Sequence, residues 1–394
     1  MFDPLRFGGR VLLAGLALAV AGASMPARAA DTTPFEINSI ASLTGFGAFL
    51  GKAQQDTLQR LEASVNREGG IKGRPIHFEI YDDQSKPQVA VQLLGQILAS
   101  GSQVVLGPEL TNSCLAVVPL VLSKIVQYCL SPGLDPPKGS YTFAPSVSGP
   151  DIFSAMVHYF HSKGWNRIAT LTTADATGQQ ADQRLGGAVA LPENKGAQVV
   201  DQEHFAPTDL TVAAQVARLK AAAPQVLIVW VIGTPLQTAL RGLSDAGFDV
   251  PVVASNSNMI YDLMKQWAPT MPSQLIFSGP AFLGGVVPRA QAGAVRQFYS
   301  VTKDVGVVPD LGLALGWDPA LIVISALRQL GTGATADQIH SYIENLRGFP
   351  GILGVYDFTT GDQRGLTQKD LTIVRWDAKK DGWVAISKAG GEPF

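Results

Sequence analysis

The chain has 394 residues, 46% of them apolar, only 16% charged, and a formal net charge of -2. Without a basic excess it has no electrostatic footprint for nucleic acid, and its apolar content is enough for more than one sizeable core. Two cysteines and five scattered histidines offer no cluster with metal-ligand spacing.

The first elements are targeting signals. Arg6 and Arg10 precede an apolar run over residues 11–23, Met25 and Pro26 end it, and Ala27-Arg28-Ala29 has the small residues a signal peptidase reads. Residues 1–30 are therefore predicted to be a signal peptide, its apolar run too short to span a bilayer. No cysteine follows for lipid attachment. The expected mature chain is exported to the periplasm, away from the nucleotide cofactors of the cytoplasm, and no cofactor is expected.

Beyond the signal, strands and helices alternate. Residues 35–40 alternate apolar and polar side chains, and 51–68 carry Ala53, Leu58, Leu61 and Val65 on one helical face before Gly69-Gly70. Short apolar strands follow at 76–80, 104–106 and 125–130, with a helix at 89–98. The rhythm resumes with helices at 151–162, 179–190, 210–222 and 236–246 between strands at 168–172, 199–205, 226–232 and 252–255. The last third is less regular: a strand at 275–278, helices at 289–303 and 311–330, and strands at 356–358 and 371–376 joined to each other by a turn. Short apolar strands between helices imply parallel sheets covered on both faces. The expected fold is α/β, two doubly wound parallel-sheet lobes joined by a multi-strand hinge, with the ligand cleft between them. The lobes are placed at 31–147 plus 279–353 and at 148–278 plus 354–394.

Ligands of such sheets lie beyond the carboxyl ends of the strands, where strand order reverses. The segments there are rich in hydroxyls and glycine: Ser42-Leu43-Thr44-Gly45, Gly107-Pro108 leading to Thr111 and Ser113, and Ser131-Pro132-Gly133-Leu134. Such groups either cap helices or hold an anion. Phe46, Phe49 and Phe282 are read as pocket walls and Trp317 as core. Asp82-Asp83 are read as capping and solvated, the pair His158 and His161 as solvated or capping, and Cys114 and Cys129 as two buried thiols for which a bridge is geometrically open. No nucleophile elbow, phosphate loop or dinucleotide fingerprint is present, so catalysis is not expected.

These segments, with Asn66-x-x-Gly69-Gly70-Ile71-x-Gly73-Arg74-Pro75-Ile76, Asp82-Asp83-Gln84, Leu240-Arg241-x-Leu243-x-x-Ala246-Gly247-Phe248 and Trp317-Asp318-Pro319-Ala320, resemble the solute-binding proteins of ABC importers, in the branched-chain amino acid receptor group. The resemblance implies capture of a small molecule by hinge closure and delivery to a membrane permease. It carries ligand contacts onto Phe49, Thr111, Ser113, Ser131, Gly133 and Leu134. It places Ser148 where the family has an acid for the ligand's amino group, Thr177 with Gly178 where a Tyr-Gly pair covers the ligand, and Asn256 or Asn258 where a second acid stands. Without those acids a buried ammonium would be unpaired, which favours an organic carboxylate, aromatic in body, over a zwitterion. Arg241 and Arg289 are candidate counter-charges. A monomer is expected. Branched-chain or other amino acids remain the alternative ligands, a signalling receptor the alternative partner, and a hydrolase the rival class.

Overall fold

The computed structural model describes residues 33–303 and 308–394; the signal peptide expected over 1–30 lies outside them. The first sheet has five parallel strands in the order β2-β1-β3-β4-β5. They are β1 (Phe35–Ala41), β2 (Ile76–Asp82), β3 (Val104–Leu106), β4 (Val126–Tyr128) and β5 (Thr142–Phe143). Helices α1 (Ala48–Arg67), α2 (Pro87–Ala99) and α3 (Thr111–Val121) connect the first four strands. The chain then crosses to α4 (Gly149–Ser162) and a second sheet of seven strands.

That sheet is built from β6 (Arg167–Thr173), α5 (Ala176–Val189), β7 (Gln198–Phe205), α6 (Ala213–Ala221), β8 (Val226–Trp230), α7 (Thr234–Asp245), β9 (Val252–Ala254), α8 (Tyr261–Trp267) and β10 (Leu275–Pro280). Its strands β7-β6-β8-β9-β10 are parallel. The chain returns through α9 (Ala292–Thr302) and α10 (Leu311–Leu330), which pack on α1, and through α11 (Ala336–Glu344), which packs on β4.

The expected pairing of strands near 356 and 371 is wrong. Instead β11 (Arg347–Pro350) and β12 (Val355–Asp357) form their own antiparallel ribbon. A third crossing then leads to β13 (Leu371–Asp377) and β14 (Gly382–Ala389), which add to β10 as antiparallel edge strands. Alternation of side chains marks a strand but does not name its partner. The turn after Asp357 is closed by Asp357 accepting from Thr359 N–H, and carries the chain back to the other lobe.

Two of the shared sequence patterns have structural roles. Asn66 clamps the start of β2, donating to Ile76 O at 2.9 Å and accepting from Ile76 N–H at 2.8 Å. The turn between them needs Gly70, whose φ is +67° and where a Cβ would lie 2.0 Å from Arg74 O. Asp318, fully buried in α10, accepts from Ile352 N–H and Leu353 N–H at 2.9 Å and from the Tyr356 hydroxyl at 3.1 Å. Burial raises its carboxyl to about 6 against those lowering bonds. Beside it Trp317 is wholly buried with its ring 5.2 Å from Phe298, the core position its sequence context suggests.

Candidate functional site

Strand order reverses between β1 and β3 in one sheet and between β6 and β8 in the other, and the loops after those strands face each other across a cleft. Its mouth, ≈ 330 Å³, is bounded by Phe46, Leu110 and Asn112 of the first lobe and by Pro207, Val231 and Pro235 of the second. Thr111, Thr177 and Ile232 lead from the mouth into a recess of ≈ 20 Å³, so the lobes are nearly shut around it. The recess has Ser131, Gly133, Gly149 and Arg184 on one side and Trp230, Ser255, Asn256 and Ser257 on the other.

The first loop is rigid because acids stand at the ends of β2 and β3. Asp82 accepts from Leu43 N–H at 2.9 Å and from the Thr44 hydroxyl at 2.7 Å. Asp83 is fully buried and accepts from the Ser42 hydroxyl at 2.7 Å and from Ser85 N–H at 2.8 Å. This corrects the reading of Asp83 as solvated surface, while Asp82 stays half-buried and the Asp83 bond to Ser85 N–H lies just ahead of α2, where a capping role is expected. The hydroxyls of Ser42 and Thr44 are thereby used inside the protein, and the loop's contribution to the cleft is Phe46, 55% exposed at the mouth. Phe49 lies just behind, its ring 3.0 Å from where a Cβ on Gly233 of the other lobe would stand. Glu109 is buried beneath the same loop, accepts from Ser42 N–H at 3.0 Å, and is pushed up to about 8 by burial and by Asp83.

The polar floor of the recess is Thr111 Oγ1 and Ser131 Oγ, 2.8 Å apart. Gly133 N–H donates to the same Ser131 oxygen at 3.1 Å. Only glycine fits at 133, because a Cβ would fall 2.2 Å from Thr111 Oγ1. Behind this floor Cys114 and Cys129 are bridged, with Cα atoms 6.0 Å apart, which corrects the expectation of two thiols. The bridge is possible because β3 and β4 are neighbours, so the start of α3 and the end of β4 meet. Replacing both cysteines by serine should cost about 3 kcal/mol, the value for closing a loop of this span (15 residues), read as a drop in denaturation midpoint.

The predicted residues therefore divide. Phe46, Thr111, Ser131, Gly133, Thr177 and Asn256 line the cleft, and Phe49 packs at its edge. Five others are placed elsewhere. Ser113 is buried on α3 outside the lining. Leu134 packs with the disulfide and faces a side groove. Ser148 caps α4, accepting from Asp151 N–H at 3.2 Å. Asn258 ties its own lobe together, donating to Val231 O and Ser255 O and accepting from Gly233 N–H. Phe282 is core, edge-on to Phe298 and Tyr299. Arg241 and Arg289 are exposed and outside the cleft lining. Sequence reasoning missed Arg184, Gln180, Trp230 and Ile232. Trp230 sits at the carboxyl end of an all-apolar strand and looks like core. It does pack on Phe153, centroids 4.7 Å apart, while its other side reaches the recess.

The acid at the mouth of the cleft is engaged through one of its oxygens, Oδ1. Asp175 caps α5 by accepting from Thr177 N–H and Gly178 N–H and takes the Thr173 hydroxyl at 2.7 Å. Among the described residues, none that lines the recess is acidic.

Two α/β lobes around a hinge-side cleft, with loops from both switch points, define a ligand-capturing receptor fold. The profile of the periplasmic binding protein family matches residues 34–382, and the chain belongs to that family of solute-binding receptors. Similar solved structures include an extracellular ligand-binding receptor from Rhodopseudomonas palustris, with TM-score 0.80 and 20% identity over 90% of this chain and 100% of that one. A fatty acid ABC transporter substrate-binding protein from Thermomonospora curvata has TM-score 0.77 and 19% identity over 90% and 92%. The branched-chain amino acid transporter substrate binding protein LivJ from Streptococcus pneumoniae, in complex with isoleucine, has TM-score 0.75 and 17% identity over 89% and 98%. Among curated proteins none matches the chain.

Proposed function

We propose that this protein is a monomeric periplasmic receptor that captures a small organic carboxylate with an aromatic body and delivers it to the permease of an ABC importer. The observation that carries this reading is the recess lining: hydroxyl, amide and guanidinium groups beside Trp230, Ile152 and Ile232, with no acid to meet an ammonium. A desolvated ammonium without a partner costs several kcal/mol, so a zwitterion is disfavoured while a carboxylate finds donors. The fatty acid transporter neighbour supports the reading, since a fatty acid is itself a carboxylate with a large apolar body. Apolar walls with a few aimed polar groups are the usual makeup of such a pocket.

A second reading is an amino acid ligand, as in the isoleucine complex. It would have to draw its ammonium out to Asp175 at the mouth, whose Oδ1 takes three donors and whose Oδ2 has no hydrogen-bond partner among the described residues. The Thr111→Val variant separates ligand recognition from fold. A hydrogen bond to a charged group is worth about 1.5–3 kcal/mol, so the variant should bind benzoate roughly 10- to 100-fold more weakly by calorimetry, while the lost bond to Ser131 lowers its stability by only about 1 kcal/mol and leaves it folded. Unchanged affinity would place the carboxylate elsewhere.

A further inference from the structure

Arg184 stands on α5 of the second lobe, and its side chain is only 10% exposed. It reaches the first lobe, where Nη2 donates to Gly133 O at 2.8 Å and to Asp135 Oδ2 at 2.5 Å; the same nitrogen lies 3.4 Å from Gln180 Oε1. All three bonds use that one nitrogen, and among the described residues Nε and Nη1 have no hydrogen-bond partner. The guanidinium lies against Gly149, where a Cβ would fall 2.3 Å from Cζ and Nε; both residues line the recess, and Arg184 also borders the side groove that Asp135 and Asp151 line. Asp135 is itself held from the hinge side, by Arg364 Nη2 at 3.1 Å and Gly149 N–H at 3.3 Å.

We propose that Arg184 is the specificity-determining residue of the cleft: its unused donors take the ligand's anionic group, while Asp135 and Gly133 O fix the guanidinium across the closed lobes. This deepens the carboxylate reading and rests on it. A largely buried guanidinium must keep its charge and satisfy its donors. One edge does so on the opposite lobe, so closing the lobes fixes the direction in which the rest meets the ligand. Anion recognition and closure are thereby the same contact. A ligand of equal shape without charge gains the walls but not this bond. Gly149 is part of the arrangement, because any side chain there displaces the guanidinium.

The test compares benzoate with benzamide, and 3-phenylpropionate with its amide, by calorimetry on the mature protein and its Arg184→Gln, Arg184→Lys and Gly149→Ala variants. Circular dichroism confirms that each is folded. The expected result is a loss of about 100-fold for the carboxylates in R184Q with less than about 3-fold change for the amides. Recovery should be partial in R184K, and G149A should show a carboxylate-selective loss. Equal losses for acids and amides, or none, would overturn the role of Arg184 while leaving the carboxylate reading intact. If no carboxylate binds the unaltered protein, both fall. Should R184Q fail to fold, G149A and R184K decide the matter, since a carboxylate-to-amide ratio unchanged in both would overturn the proposal.

Discussion

Replacing Arg364 with Met should lower stability by about 3–5 kcal/mol and the melting temperature by on the order of 10 °C. This guanidinium is 1% exposed and sits where the third crossing passes the first. Nη1 donates to Pro145 O at 2.8 Å and lies within 3.3 Å of Ser146 O and Val147 O. Nη2 donates to Pro132 O at 3.0 Å, to Leu134 O and to Asp135. One side chain thus ties the hinge to the loop that carries Gly133 into the recess. Burial draws its pKa down, and Asp135 opposes that. Met fills much of the volume but leaves a set of buried carbonyls without donors, each costing about 1–3 kcal/mol. The same variant should bind carboxylate ligands more weakly, because the Gly133 loop loses its anchor. Chemical denaturation showing a loss below about 1 kcal/mol would mean that water or a rearranged loop satisfies those carbonyls.

Stability should also fall as pH rises from about 5 to about 8, and Glu109→Gln should flatten that fall. Folded Glu109 titrates at about 8, raised first by burial and then by Asp83. Its proton is held more tightly in the folded than in the unfolded chain. Its contribution is therefore full below the unfolded value near 4.5 and is lost as pH rises through 8. Asp310, at about 7, and Asp318, at about 6, are raised mainly by burial and act in the same direction. Each such group adds a slope of up to about 1.4 kcal/mol per pH unit between its two values. Asp82 and Glu203 are lowered, and their opposite effect belongs to more acid conditions. The amide of the E109Q variant imitates the protonated acid and still accepts from Ser42 N–H. Urea midpoints at pH 5 and pH 8 should differ clearly in the natural protein and less in the variant. An unchanged difference would remove Glu109 as the source.

The fold was legible where packing imposes a period. Alternation in 35–40, the apolar helical face of α1 and the run Val226–Trp230 each follow from how many sides of the element are buried. The turn after Asn66 was legible for another reason: Gly70 has no substitute where Arg74 O stands so close. The pairing of β11 with β12 and of β13 with β14 was not legible, since their partners are set by hinge crossings between distant segments.

The site was half legible. Thr111, Ser131, Gly133 and Thr177 follow from the rule that strand ends at a switch point face the ligand. The same rule says too little at Ser42 and Thr44, as the resemblance does at Ser148 and Asn258, because their polar groups serve the protein's own backbone and acids. A hydroxyl at a strand end carries no mark of which partner it will find. Arg184 was missed for the opposite reason. It lies in the polar helical stretch around Gln179 to Leu185, where a charged side chain reads as solvated, and only the approach of the two lobes buries it.

The most direct measurement is thermal unfolding of the protein with benzoate and 3-phenylpropionate in one set and leucine and valine in the other. A ligand at 100 times its dissociation constant stabilises by about 2.7 kcal/mol, a shift of several degrees at this size. The aromatic carboxylates should give a shift and the amino acids none. A shift with leucine or valine alone would contradict it, and would mean that the ammonium finds an acid, with Asp175 the first to test.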